Sequence, residues 1–241
     1  MKRYVIGDIH GGYKALKQVL ELSSFDYNND ELICLGDVAD GWGEVPECFD
    51  ELLKIKNLIY VIGNHDFWLM EWFKTRFTPH MWTSQGGKAT LDAYQRLMNM
   101  GEFDRMDKHQ NLLEHASYKY IDENNNLFVH GGYDWRQNIS ETSNQHLMWD
   151  RHLWETAEYW QRLFNNGVKL NKVKDFNEVF IGHTATSWTH KDLKPVHASN
   201  VWNLDQGGGY RGKLTLMNIE TKEYFQSYEV QTLYPNDIGR G

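Results

Sequence analysis

The sequence predicts an α/β fold, and three observations carry the prediction. A short apolar strand, a turn of glycine and acid, and an amphipathic helix follow one another three times from the N-terminus. That is the rhythm of βαβ units. The polar residues of those turns all fall just after an apolar run, at the edge where open α/β sheets place their sites. From Pro195 onward the pattern changes to strands alone, which adds antiparallel members.

Taken in order, Tyr4–Ile6 is the first strand and runs into Gly7-Asp8-Ile9-His10-Gly11-Gly12. Asp8 and His10, two apart, project on one side while the glycines let the chain fold tightly. A helix with Leu16, Val19 and Leu20 as its apolar stripe follows. The second strand, Leu32–Leu35, ends in Gly36-Asp37-Val38-Ala39-Asp40-Gly41. The next helix starts near Pro46 and should bury Phe49, Leu52 and Leu53. The third strand, Leu58–Ile62, delivers Gly63-Asn64-His65-Asp66. Read alone, that tetrad is equally a polar loop with a helix N-cap at Asp66.

Phe67 to His115 reads as mainly helical, interrupted by a loop from Trp82 to Thr90 that contains Gly86-Gly87. Tyr118–Ile121 and Leu127–Val129 form a hairpin around Glu123-Asn124-Asn125-Asn126, and its second strand ends at His130-Gly131-Gly132. A helical block spans about Thr142 to Phe164. The strand Val179–Ile181 then presents Gly182-His183-Thr184. The remaining strands are Val196–Ala198, Val201–Leu204, Leu214–Ile219 and Tyr224–Val230. With no linker, repeat or low-complexity segment in view, one domain over residues 1–241 is expected.

Composition narrows the class of function. The 241 residues are 41% hydrophobic and 24% charged, as in ordinary globular proteins. No apolar run reaches the ~20 residues of a membrane span. Met1-Lys2-Arg3 leads directly into a strand, so no signal peptide and a cytoplasmic location are expected. The two cysteines, Cys34 and Cys48, lie in apolar patterns and read as buried thiols. A formal charge of −8 argues against electrostatic capture of nucleic acid or anionic membrane. It leaves open an anionic substrate, because bound divalent metals would dominate the local field.

Five strand ends therefore carry Asp8 and His10, Asp37 and Asp40, Asn64 and His65, His130, and His183. Carboxylate, imidazole and amide donors suit borderline or hard divalent ions such as Mn²⁺, Fe²⁺ or Zn²⁺. A single Gly-Asp turn or a single buried histidine is commonly structural. All five in this order, each after an apolar strand, form a metal-and-proton constellation.

With those motifs the chain resembles the calcineurin-like metallophosphoesterases, and within them the phosphoprotein-phosphatase branch of bacterial and phage enzymes. Gly86-Gly87-Lys88-Ala89-Thr90-Leu91, Trp149-Asp150-Arg151, and Asn203-Leu204-Asp205-Gln206-Gly207 with Leu214-Thr215 extend the likeness over nearly the whole chain. The resemblance implies two packed mixed β-sheets flanked by helices, a four-layer αββα sandwich. It implies a dinuclear site. Asp8, His10 and Asp37 would hold one metal; Asp37, Asn64, His130 and His183 would hold the other. Mn²⁺ is the first expectation, with Fe or Zn as alternatives. His65 would be the general acid, oriented by Asp40, while a hydroxide shared by the metals attacks phosphorus in line. Arg151 matches a phosphate-binding arginine of the family. The chain departs from the protein phosphatases at Gly41, where they usually carry a second such arginine.

The expected activity is hydrolysis of phosphomonoesters, as by a serine/threonine protein phosphatase. The alternative is a nucleotide hydrolase of the dinucleoside polyphosphatase type, in which Trp42, Trp68 or Trp135 would stack on a base if not packed in the core. A non-enzymatic scaffold ranks last, since His65 and a full ligand set are kept. Gly182-His183-Thr184-Ala185 lacks the second histidine of nuclease-type relatives. The partners expected are a phosphorylated protein or a small phosphoester, without membrane or nucleic acid.

Overall fold

The computed structural model describes residues 1–240 of the chain. Strands β1 (Arg3–Ile6), β2 (Glu31–Cys34) and β3 (Asn57–Tyr60) alternate with helices α1 (Tyr13–Leu22), α2 (Val45–Leu52) and α3 (Asn64–Thr75). A helical stretch follows: α4 (His80–Trp82), a π-turn over Thr83–Gly87, α5 (Lys88–Met100) and α6 (Phe103–Glu114). The hairpin β4 (Lys119–Ile121) and β5 (Leu127–Val129) leads to α7 (Asn144–Trp149), α8 (His152–Asn165) and β6 (Val179–Ile181). Strands β7 (Val196–Ala198), β8 (Val201–Asn203), β9 (Thr215–Asn218) and β10 (Tyr224–Gln226) come last, before the short helix α9 (Val230–Leu233).

The strands make two five-stranded sheets, ordered β10-β9-β1-β2-β3 and β4-β5-β6-β8-β7. In each, three adjacent strands run parallel: β1, β2 and β3 at one side of the first sheet, β5, β6 and β8 in the middle of the second. Strand side chains alternate faces, and here that alternation builds the layers. Val5, Ile33 and Met217 turn inward to meet Phe128, Phe180 and Leu204 of the other sheet. Tyr4, Ile6, Leu32, Cys34 and Leu216 turn outward under α1, α2 and neighbouring helices. On the far side Leu127, Val129, Val179, Ile181 and Val201 pack beneath α8. Strands buried on both faces read as unbroken apolar runs, which is why they stood out in the sequence. The α/β sandwich of two mixed sheets flanked by helices is the fold expected.

Several local expectations need correction. The end of the chain is not strand alone, because Val230 enters α9, where it is buried. Leu53 caps α2 instead of joining its buried stripe and is 41% exposed. The stretch expected as a loop from Trp82 to Thr90 is mostly helical turn on either side of a kink at Gln85-Gly86, where Gly86 is left-handed. The helical block after Thr142 breaks at Asp150-Arg151. Asp66 sits at the third position of α3 and not at its N-cap. Cys34 and Cys48 are buried and unpaired, as expected. Among the described residues, no helix is long and apolar enough to cross a membrane.

Candidate metal and acid–base centre

The parallel strands of both sheets aim their carboxyl ends at one rim. Asp8 and His10 follow β1, Asp37 and Asp40 follow β2, and His130 and His183 follow β5 and β6. Asn64 and His65 form the first turn of α3. Each of these eight side chains is buried; Arg151 is exposed.

Two groups of ligand atoms result, Asp8-His10-Asp37 and Asp37-His130-His183, each within 4.8 Å of one another. Asp37 belongs to both. Its Oδ2 lies 3.7 Å from His10 Nε2 and 3.2 Å from His130 Nε2. Asn64 Oδ1 joins the second group, 3.1 Å from His130 Nε2.

The surrounding hydrogen bonds decide which nitrogens face the centre. His10 Nδ1 donates to the Ala39 carbonyl at 2.9 Å, and His130 Nδ1 to the Leu35 carbonyl at 2.7 Å. Both rings therefore turn Nε2 inward, the orientation a metal-ligating histidine needs, and burial keeps His10 neutral. His183 Nε2 is buried and has no partner among the described residues. Buried polar atoms are seldom left unpaired. The carboxylates give the same message. Burial, and then repulsion from Asp205, pushes Asp8 well above the usual carboxylate range. Against its own burial, Asp37 is held well below that range by His130, His65 and His10. An inward-facing lone pair, an orphaned imidazole nitrogen and crowded carboxylates fit a pair of divalent cations.

Beside these candidate ligands stands a separate histidine–carboxylate pair. His65 Nδ1 lies 2.5 Å from Asp40 Oδ2. Asp40 in turn accepts from Trp82 Nε1 at 2.8 Å and from Thr90 Oγ1 at 2.7 Å. With Nδ1–H committed to Asp40, the other nitrogen of His65 is left for a reacting group. Burial pushes His65 down to about 3 and Asp40 up to about 8.

The backbone is strained at four of these residues. His10, Asp37, Asp40 and His183 have φ of 48°, 51°, 73° and 65°. Such left-handed conformations in non-glycine residues cost of order 1–3 kcal/mol each and persist only when the surroundings over-determine them. Asp66 supplies much of that constraint. Its carboxylate accepts the N–H groups of Asp37, Val38 and Ala39 at 2.7, 2.9 and 3.0 Å, and the Tyr60 hydroxyl at 3.0 Å.

Three contributors were not anticipated: Asp66 as the anchor of the Asp37 turn, the Trp82–Thr90 support of Asp40, and Arg240, whose Nη1 is 3.2 Å from His10 Nε2. Arg151 reaches the edge of the centre, with Nη1 donating to the His183 carbonyl at 2.9 Å. Trp42 is not available to a base; it is fully buried against Tyr234 and donates to the Gly208 carbonyl. Trp68 packs edge-on against His65, and Trp135 against Trp160.

Comparison with known proteins agrees with this arrangement at the level of family. The calcineurin-like phosphoesterase family matches residues 1–204. The chain belongs to the calcineurin-like phosphoesterases. That family is one of phosphoesterases, whose chemistry uses divalent metals. The symmetrical bis(5'-nucleosyl)-tetraphosphatase of Proteus mirabilis is 41% identical over 75 residues, which is 29% of this chain and 26% of that protein. That of Coxiella burnetii is 36% identical over 67 residues, or 28% and 23% of the two chains. The matched part thus spans about a quarter of those relatives' length. Among solved structures, a candidate diadenosine tetraphosphatase superposes with a TM-score of 0.62 at 16% identity, covering 93% of this phosphoesterase and 92% of that chain.

Proposed function

We propose that this phosphoesterase hydrolyses a phosphoric ester or anhydride of a nucleotide, of the dinucleoside polyphosphate type, at a two-metal centre bridged by Asp37. The observation that carries the centre is the pair of ligand clusters sharing that one carboxylate. Asp8, His10 and Asp37 would hold one cation, and Asp37, Asn64, His130 and His183 the other. Bound there, the cations would neutralise phosphoryl charge and acidify water.

The chain's own residues supply the rest. His65 stands at the centre with its Nδ1–H held by Asp40, so its free nitrogen can carry a proton to the leaving oxygen. Burial keeps the ring neutral at rest; a phosphate anion beside it offsets that penalty and favours the imidazolium. Thr90 and Trp82 fix Asp40, so the imidazole keeps one tautomer and one orientation. No nucleophilic cysteine takes part, since both thiols are buried away in the core.

Two features favour a nucleotide over a phosphoprotein. The curated relatives reported above are named as nucleosyl tetraphosphatases. A largely apolar cavity of about 460 Å³ is lined by Trp188, Tyr210, Leu193 and Ile238 among others, and Tyr210 faces the Arg240 guanidinium that touches His10. That volume is in the range of small-ligand sites. Trp188 is 72% exposed and meets Tyr210 edge-on, so a flat heterocycle has an aromatic surface to rest on. The serine/threonine phosphatase reading remains the second one, because the same centre would serve either ester.

The test is a substrate panel on Mn²⁺-loaded protein, with dinucleoside polyphosphates set against phosphopeptides and an aryl phosphate. The reading expects the highest kcat/KM for the dinucleoside polyphosphate. Preference for phosphopeptides would overturn the substrate class and leave the centre standing.

A further inference from the structure

Arg240 lies outside the region matched by the family, residues 1–204, yet its side chain ends inside the centre. The segment after α9 turns back over the molecule. Gln231 Nε2 donates to the Asp237 carbonyl at 2.7 Å, and the Arg240 N–H donates to the Gly209 carbonyl at 2.9 Å. The aliphatic stem of Arg240 then passes between three glycines. A Cβ on Gly41, Gly86 or Gly209 would lie 3.3, 3.2 or 2.8 Å from its carbons. These glycines form a slot that this one side chain fills.

At the end of the slot the guanidinium lies 4.9 Å from the centroid of the Tyr210 ring, and Nη1 is 3.2 Å from His10 Nε2. Nε is buried and has no hydrogen-bond partner among the described residues. Among the described residues, the guanidinium's contacts are an aromatic face and an imidazole, neither of them an anion. A partly buried guanidinium whose Nε is closed off from water is better satisfied when an opposite charge arrives. Arginine also presents a planar fork of donors suited to phosphate oxygens. A second cation would not recruit a metal to His10, so the group that could satisfy both arginine and metal is an anion placed between them.

We propose that Arg240 is a substrate-binding residue that grips a non-bridging oxygen of the phosphoryl group held at the centre. This rests on the phosphoesterase reading above and deepens it. Arg240 stands between the ligand cluster and Tyr210 of the apolar cavity, so it would bind the phosphate at the junction of the reacting group and the rest of the substrate.

The experiment measures binding of inorganic phosphate to Mn²⁺-loaded wild type, Arg240→Ala and Arg240→Lys, by calorimetry, with metal content and Tm recorded for each. Arg240→Ala is expected to raise the phosphate Kd roughly 10- to 100-fold, the weight of a charge-assisted, bidentate contact. Arg240→Lys should recover only part of that loss, and metal content should match wild type. Equal phosphate affinity in wild type and Arg240→Ala at equal metal content would overturn the proposal while leaving the metal centre intact. Tighter metal uptake with unweakened phosphate binding in Arg240→Ala would also overturn it, because the arginine would then be a plug. Arg240→Lys, which keeps the stem in its slot, decides the matter if the alanine variant lowers Tm sharply. A wild type that binds neither metal nor phosphate would bring down the phosphoesterase centre and this proposal with it.

Discussion

His65 Nδ1 lies 2.5 Å from Asp40 Oδ2, and that carboxylate is itself held by Trp82 and Thr90 from a different helical segment. The acid–base pair is therefore built separately from the ligand clusters, which accounts for the first prediction. His65→Asn should slow turnover by ~10²–10⁴, the usual worth of a positioned acid, with metal content unchanged. The loss should shrink for a nitrophenyl ester, whose leaving group needs little protonation. An equal loss for all leaving groups would remove His65 from the role.

Thr90→Val tests the support of that pair. The valine keeps the volume but removes both the donor to Asp40 Oδ1 and the acceptor for the Asp40 N–H. Loss of a buried hydrogen bond of this kind costs ~1–3 kcal/mol. The expected readout is a fall in kcat of roughly 5- to 100-fold at near-constant KM, following from that energy. A change in KM alone would place Thr90 on the substrate side instead.

Asp66→Ala should do more damage than its position one residue after His65 implies. The substitution leaves the N–H groups of Asp37, Val38 and Ala39 without their shared acceptor. Both ligand clusters contain Asp37, so metal content and Tm should fall together. Normal metal content in a folded Asp66→Ala protein would show that the turn holds itself.

Arg151 carries a smaller expectation. One of its donors is spent on the His183 carbonyl and another contact goes to Thr184, and the side chain is exposed. Arg151→Ala should cost ~1–2 kcal/mol in kcat/KM, less than a fully buried phosphate clamp. Arg151→Lys should not restore the loss, since a point charge lacks the fork geometry. Wild-type kcat/KM in Arg151→Ala would leave the site without a use for this arginine.

Acid stability offers a check on the scaffold. Glu51 is buried on α2 and accepts from Lys17, Lys54 and Tyr27. Burial opposes its charge, but the hydrogen bonds from Lys54, Tyr27 and Lys17 prevail and hold it below the usual glutamate value. A depressed folded pKa means its stabilisation is present above the unfolded value and lost as pH falls through the folded one. Thermal melts should show Glu51→Gln flattening the loss of Tm on the acid side. An unchanged acid slope would assign that slope to other carboxylates.

The core strands and the polar strand ends were legible because both obey short-range rules. Buried parallel strands give unbroken apolar runs, and Asp8, Asp37, Asn64, His130 and His183 each follow one closely. What was not legible depends on contacts distant in sequence. Asp66 reads as a helix cap, and only the folded Asp37 turn shows what its carboxylate holds. Arg240 has no periodic pattern around it, and its slot is made by Gly41, Gly86 and Gly209 from three separate segments. Trp42 looked like a candidate for base stacking because a sequence does not record that Tyr234 covers it. The left-handed conformations fall on His10, Asp37, Asp40 and His183, residue types that enter this region more often than most but still rarely, while the neighbouring glycines draw the eye.

The central claim is that Asp37 bridges two cations, and elemental analysis of purified protein tests it most directly. Wild type loaded with Mn²⁺ should hold two metals per chain and lose hydrolysis on chelation. Asp37→Ala should hold fewer than one and be inactive, because both clusters lose their shared carboxylate. Undiminished metal and undiminished activity in Asp37→Ala would contradict the account.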